Sequence, residues 1–94
     1  MDLRFEWDSR KANSNLKRHG VSFSEASTVL GDPLSITIPD PLHSHDEPRF
    51  LDLGMSHSGR LIVVVYTERA GTLRLISARP ATRHEKQDYE EKGC

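Results

Sequence analysis

Leu3, Phe5 and Trp7 alternate with Asp2, Arg4 and Glu6, the two-residue period of a strand with one face buried. From Asp8 onward the pattern changes to a helical one. Asp8 stands where an N-cap carboxylate can accept from the first free amides, Ala12 and Leu16 form a thin apolar pair four apart, and Gly20 suits a left-handed end, so a helix is predicted over about Ser9 to Arg18. Ser22-Phe23-Ser24-Glu25 has the spacing of a reciprocal capping box and opens a second, short helix that Gly31-Asp32-Pro33 closes near Leu30. Leu34 to Ile38 reads as a strand ended by Pro39-Asp40-Pro41. After a loop over 39–48 come three strand-like runs, Arg49 to Ser56, Arg60 to Thr67 and Thr72 to Arg79. Their connections are too short for a parallel crossover, so they predict an antiparallel meander. Leu61 to Tyr66 lacks alternation and is expected to be the central strand, covered on both faces. Thr82 to Glu85 repeats the capping box and begins a last helix reaching about Lys92, polar except for Tyr89, whose attachment is expected to be weak or completed by a partner. The elements together predict an α+β class: a small single domain over 1–94, an antiparallel β-sheet with two N-terminal helices and one C-terminal helix.

A chain of 94 residues has room for one such domain, burying roughly 60 to 65% of the extended chain's surface. The longest apolar run, Leu61 to Tyr66, is far short of the roughly 20 residues that span a bilayer, and no basic segment followed by an apolar one opens the sequence. A cytoplasmic location is expected. The single cysteine, Cys94, excludes an intrachain disulfide and suits a reducing compartment.

The formal net charge is -1, which by itself argues mildly against a partner made of phosphates. The distribution argues the other way. Arg10, Lys11, Lys17 and Arg18 follow one another without an acid between them, and five arginines from Arg60 to Arg83 face Glu68 alone, while Asp32 to Asp52 and Glu85 to Glu91 hold most of the carboxylates. A fold that joins the two basic segments makes a positive face on a nearly neutral molecule. On the first helix, Lys11, Asn15, Arg18 and His19 share about a quarter of the circumference, a grouping that docking does not require. His43-Ser44-His45-Asp46-Glu47 has ligand-type side chains, but two histidines two apart in a proline-flanked loop lack a third ligand at a recognisable spacing, so no metal is expected. His57 and His84 are assigned no role.

The ordered set F-E-W-D-x-x-K-x-x-x-N-x-x-R-H-G-V-S-F, D-P-L-S-I-T-I-P-D, R-F-L-D-L-G, V-V-V-Y-T-E-R and I-S-A-R-x-A-T-R resembles the BrnT family of small ribonuclease toxins from bacterial type II toxin-antitoxin modules, from about Phe5 to Tyr89. The resemblance implies a RelE-like ribonuclease toxin architecture, endoribonuclease activity without a metal or other cofactor, and inhibition of translation and growth. It further implies neutralisation by a cognate antitoxin, BrnA-like and DNA-binding, in a heterotetramer, with RNA as substrate and no membrane. The family usually reads K-H-G where this chain has Arg18-His19-Gly20.

Cutting RNA without a metal requires a base for the 2'-hydroxyl proton, cations for the added negative charge and an acid for the departing 5'-oxygen. The candidate catalytic residues are Lys11, His19, Glu68 and Arg79: an imidazole able to take either proton-transfer role, a lysine beside it, a carboxylate able to orient it, and an arginine fork at a strand end. Arg18, Arg69, Arg74 and Arg83 are the candidate RNA-binding residues; Arg83 in a first helical turn opposes the dipole unless an anion binds there. Arg49 is expected to favour nearby acids. The alternative is a non-catalytic RNA-binding or antitoxin-binding module with degenerate toxin chemistry, since an arginine at position 18 holds its charge fixed and cannot shuttle a proton. A DNA reader is disfavoured, because the short second helix carries Glu25 as its only charged group.

Overall fold

The computed structural model, which describes residues 3–40 and 47–92, places the unbroken apolar run at the middle of a five-stranded sheet. In chain order the elements are β1 (Arg4–Glu6), α1 (Ser9–His19), α2 (Phe23–Val29), β2 (Ile36–Pro39), β3 (Arg49–Met55), β4 (Leu61–Arg69), β5 (Thr72–Pro80) and α3 (Arg83–Lys92). The strand order is β1-β5-β4-β3-β2. The expected meander β3-β4-β5 forms, and β2 adds to β3 antiparallel. The sheet is mixed, however: β1 runs parallel to β5, with Arg4 opposite Thr72, Phe5 opposite Leu73 and Glu6 opposite Arg74. Alternation along β1 says that one face is buried but not which strand it joins or in which sense, so the expectation of a wholly antiparallel sheet could not anticipate this pairing.

Each face of the sheet carries its own layer. Ile62, Val64, Leu75 and Ala78 meet Val21 and the α2 residues Phe23, Ala26 and Val29 on one face, with Trp7 packing edge-on against Phe23 at a centroid distance of 6.0 Å. Val63 and Leu53 meet Ala81 and Tyr89 on the other. The absence of alternation in β4 follows from this, because both faces of the central strand are covered. Gly54 on β3 is needed where α2 comes down on the sheet: a Cβ there would lie 2.9 Å from Ser35 Cβ and 3.0 Å from Val29 Cγ1.

Helix α1 is capped as its sequence implies, Asp8 accepting from the Arg10 amide at 2.8 Å and Gly20 adopting φ 71° while its N–H bonds the Leu16 carbonyl at 2.9 Å. It docks differently from the Ala12/Leu16 expectation. Ala12 packs against the core, but Leu16 is 49% exposed, and Asn15, 7% exposed, points inward instead. The reason lies at the edge of β5. Strand β1 covers that edge only as far as Arg74, a register shift follows opposite Val65 and Tyr66, and beyond it the outward N–H and C=O of Ala78 need partners. Asn15 provides them: its Oδ1 accepts from the Ala78 amide at 3.0 Å, while Nδ2 donates to the Ala78 carbonyl at 2.8 Å and to the Val21 carbonyl at 2.9 Å. One carboxamide thus stands in for the missing strand neighbour and satisfies three buried backbone groups.

Replacing Asn15 with leucine, similar in size but unable to bond, leaves those three groups unsatisfied. Asn15→Leu is expected to lower the unfolding free energy by about 3 to 5 kcal/mol, measured by urea denaturation, whereas Leu16→Ala on the exposed side of the same helix changes it by less than about 1 kcal/mol.

Candidate nucleic-acid interface

With Asn15 turned to the sheet, the residues beside it on α1 are aimed along the β5 edge. Lys11, Ser14 and Arg18, at intervals of three and four, lie on one flank of the helix. Together with Arg10, Asn15, His19 and the β5 residues Ile76 and Ser77 they line a cleft of about 270 Å³. Among the described residues no carboxylate lines it. Arg10, Lys11 and Arg18 form no ion pair among the described residues, so their mutual repulsion stands uncompensated. His19 is half-buried at the inner end of this row, immediately before the Gly20 cap.

The Gly20 backbone that follows His19 is held by a charge network joining three elements. Arg60, at the start of the β3–β4 hairpin's second arm, donates through Nη2 to the Gly20 carbonyl at 3.1 Å and through Nε to Glu25 Oε2 at 2.9 Å, with a second guanidinium bond to Glu25 Oε1. Ser56 donates to the same carboxylate at 2.7 Å, as does Ser58. The Arg60 guanidinium, helped by the two hydroxyls, holds the Glu25 carboxyl down to about 2 despite its burial. The capping box expected at Ser22 is therefore half-formed. Ser22 Oγ accepts from the Glu25 amide at 3.0 Å, but the Glu25 side chain leaves the helix for Arg60. At α3 the box is complete in both directions, between Thr82 and Glu85.

The remaining candidates lie elsewhere. Glu68 is exposed beside the β4–β5 turn, opposite Leu73, eight residues along from Arg60, or about 26 Å of extended strand away from the Gly20 contact. Arg79 points to the opposite sheet face from Ala78, where Glu85 of α3 takes its guanidinium in two bonds of 2.8 and 2.9 Å. The single constellation expected from His19, Glu68 and Arg79 is thus not assembled: alternation on β5 turns Arg79 away from the face that carries α1. Arg69 pairs with Glu47 and Arg74 with Glu6 at 2.8 Å, so both reach any anion only by exchanging a carboxylate. Arg83 is exposed at the start of α3. His43, His45 and Asp46 of the loop considered for a metal, and Cys94, lie outside the described residues. Among the described residues no helix is long and apolar enough to cross a membrane.

Sequence reasoning passed over Arg10, Ser14 and Ser77 as members of this site. Ser14 carried a signal in its spacing of three from Lys11 and four from Arg18, and Arg10 one in standing four before Ser14. The Glu25–Arg60 pair carried none, because its members stand 35 residues apart.

The sequence profile of the family described as "Ribonuclease toxin, BrnT, of type II toxin-antitoxin system" matches residues 7–85. Among solved structures, the chain is similar to the crystal structure of the Brucella abortus ribonuclease toxin BrnT, with a TM-score of 0.68 and 21% identity, over 87% of this chain and all of that one. No curated protein matches the sequence.

The Glu25 carboxyl is lowered on folding, from 4.5 to about 2, so its contribution is complete above pH 4.5 and disappears as the pH falls toward 2. Glu25→Gln is expected to cost about 2 kcal/mol at pH 7, allowing for solvent screening of the partly exposed arginine. The gap between variant and wild type should close between pH 4.5 and 2 in denaturation curves taken across that range.

Proposed function

The chain belongs to the BrnT family of ribonuclease toxins of type II toxin-antitoxin systems, and we propose that it is a metal-independent endoribonuclease whose chemistry takes place in the α1–β5 cleft. A toxin of this type has a cognate antitoxin. The observation that carries the proposal is the cleft itself, in which three cations without an ion pair among the described residues, an imidazole and two hydroxyls converge, with no described carboxylate in the lining to oppose a phosphate. Anions enter such a site favourably because binding relieves the repulsion among Arg10, Lys11 and Arg18. A lining without carboxylates is also a poor one for a divalent ion, which is bound through anionic oxygens.

In this reading the phosphate at the cut lies between Lys11 and Arg18, which stabilise the charge that builds on its non-bridging oxygens. The 2'-hydroxyl attacks the adjacent phosphorus. Its proton leaves as the new P–O bond forms and the bond to the 5'-oxygen breaks, giving a 2',3'-cyclic phosphate and a 5'-hydroxyl. His19 carries one of the two proton transfers and the Lys11 ammonium the other. Arg10 and Ser14 hold the neighbouring nucleotide, and Arg69, Arg74 and Arg83 serve RNA running beyond the cleft. Glu68 and Arg79 act through the fold and not on the phosphate. Cleavage of cytoplasmic RNA stops translation and growth, and a DNA-binding, BrnA-like antitoxin in a heterotetramer is the partner that this reading expects.

A second reading has a specific observation in its favour: Arg18 occupies a place where the family usually has lysine, and its fixed charge leaves the cleft one proton-transfer group poorer. A module that binds RNA without cutting it would keep the same cleft.

Purified protein is expected to cut RNA with EDTA present, leaving cyclic phosphate ends, and a 2'-deoxy substitution at the cut should abolish the reaction. His19→Ala is expected to lower the rate by roughly 10² or more and Lys11→Ala by about 10², with unchanged circular dichroism. RNA bound but intact over hours would favour the second reading, and wild-type rates from both variants would move the chemistry out of the cleft.

A further inference from the structure

The two faces of the sheet are covered unequally. Helices α1 and α2 lie over one face, while α3 alone lies over the other. Five strands span about 20 to 24 Å, room for two helices of about 10 Å each, and α3 occupies only one of those places. It is anchored by Ala81, by the Arg79–Glu85 pair and by Tyr89, whose hydroxyl donates to Asp32 Oδ2 at 2.6 Å. Beside it runs a groove of about 480 Å³ with Ile36, Ile38, Leu51, Leu53 and Val63 in its apolar floor. Ile38 is 50% exposed, although it sits on the same face as its buried neighbours.

The wall that α3 gives this groove is out of keeping with the floor. Glu85, Asp88 and Glu91, one helical turn apart, line it together with Lys92. Glu85 is neutralised by Arg79, whereas Asp88 has only His84 at 3.6 Å and Glu91 has no ion pair among the described residues. A partly apolar floor under an acidic wall accommodates neither a second acidic surface nor RNA. It matches a segment with an apolar stripe and a cationic flank.

We propose that this groove is where the antitoxin docks, through an amphipathic helix whose apolar side lies on Ile36, Ile38 and Leu51 and whose lysines or arginines face Asp88 and Glu91. The proposal rests on the family membership that supplies the antitoxin, and names the surface it uses. The groove lies on the face opposite the one that carries α1 and α2, so docking leaves Lys11, Arg18 and His19 uncovered by this helix. Neutralisation would then require the rest of the antitoxin to reach around the β5 edge, or the filled groove to alter α3 and the Arg79 end of β5.

The test uses the full chain and the antitoxin encoded with it, mixed as purified proteins and followed by titration calorimetry and hydrogen exchange. Ile38→Glu, at a half-exposed position that does not threaten folding, is expected to weaken binding roughly tenfold or more. Asp88→Lys combined with Glu91→Lys is expected to weaken it at low salt, with a smaller effect at about 0.5 M salt. Bound antitoxin should protect amides of β2 and β3, and both free variants should cut RNA at the wild-type rate. Wild-type affinity in both variants overturns the proposal. So does protection confined to α1 and the β5 edge, or an effect of Ile38→Glu on self-association of the toxin in place of antitoxin binding. Should the wild-type chain bind antitoxin at this groove yet leave RNA uncut, the ribonuclease reading fails and the docking surface stands.

Discussion

The carboxamide of Asn15 decides where the first helix sits, and the rest of the interface inherits its geometry from that contact. A sheet edge with an unpaired N–H and C=O is costly when buried. Strand β1 stops at Glu6, three residues of pairing after it begins, and leaves Ala78 in that condition. An amide side chain carries donor and acceptor side by side in one plane, as a strand backbone does, and Asn15 uses both while also holding the Val21 carbonyl at the start of the next segment. The rotation of α1 follows. Asn15 faces inward, Leu16 faces solvent, and Lys11, Ser14 and Arg18 line up along β5 where no carboxylate among the described residues answers them.

Electrostatics elsewhere in the molecule is mostly settled within the fold. Arg60 joins Glu25 to the carbonyl behind His19, Arg69 joins Glu47, Arg74 joins Glu6 across the β1–β5 pairing, and Arg79 joins Glu85 to α3. Exposed pairs of this kind contribute little each, and their larger effect is positional, since they tie helix ends and hairpins to the sheet. Tyr89 behaves similarly. Its hydrogen bond to Asp32 pushes the phenol up to about 12, so the contact persists through the physiological range. Burial works against the Asp32 carboxylate, but the Tyr89 hydroxyl and the Met55 and Leu34 amides outweigh it and hold its pKa down. Against this paired background Arg10, Lys11 and Arg18 of α1 and Glu91 of α3 stand out as charges with no ion pair among the described residues, of opposite sign and on elements at opposite faces of the sheet.

The local physics of the chain determined a good deal without the structure. Caps at Asp8, Gly20 and Thr82 fixed helix boundaries to within a residue or so, because capping depends on backbone groups a few positions away. The unbroken run from Leu61 and the short connections around it fixed a central strand inside a meander, since a covered strand needs no polar side and a short loop permits only antiparallel return. The grouping of Lys11, Arg18 and His19 on α1 was legible for the same reason, being set by helical spacing alone. Tertiary structure decided everything that joins residues distant in sequence: the parallel seat of β1, the inward turn of Asn15, the capture of Glu25 by Arg60, and the division that puts Arg79 with α3 and Glu68 at the far turn. Spacing fixes which side chains share a face of their own element, but which face meets which depends on edges, vacancies and hydrogen-bond demands that exist only once the sheet has formed.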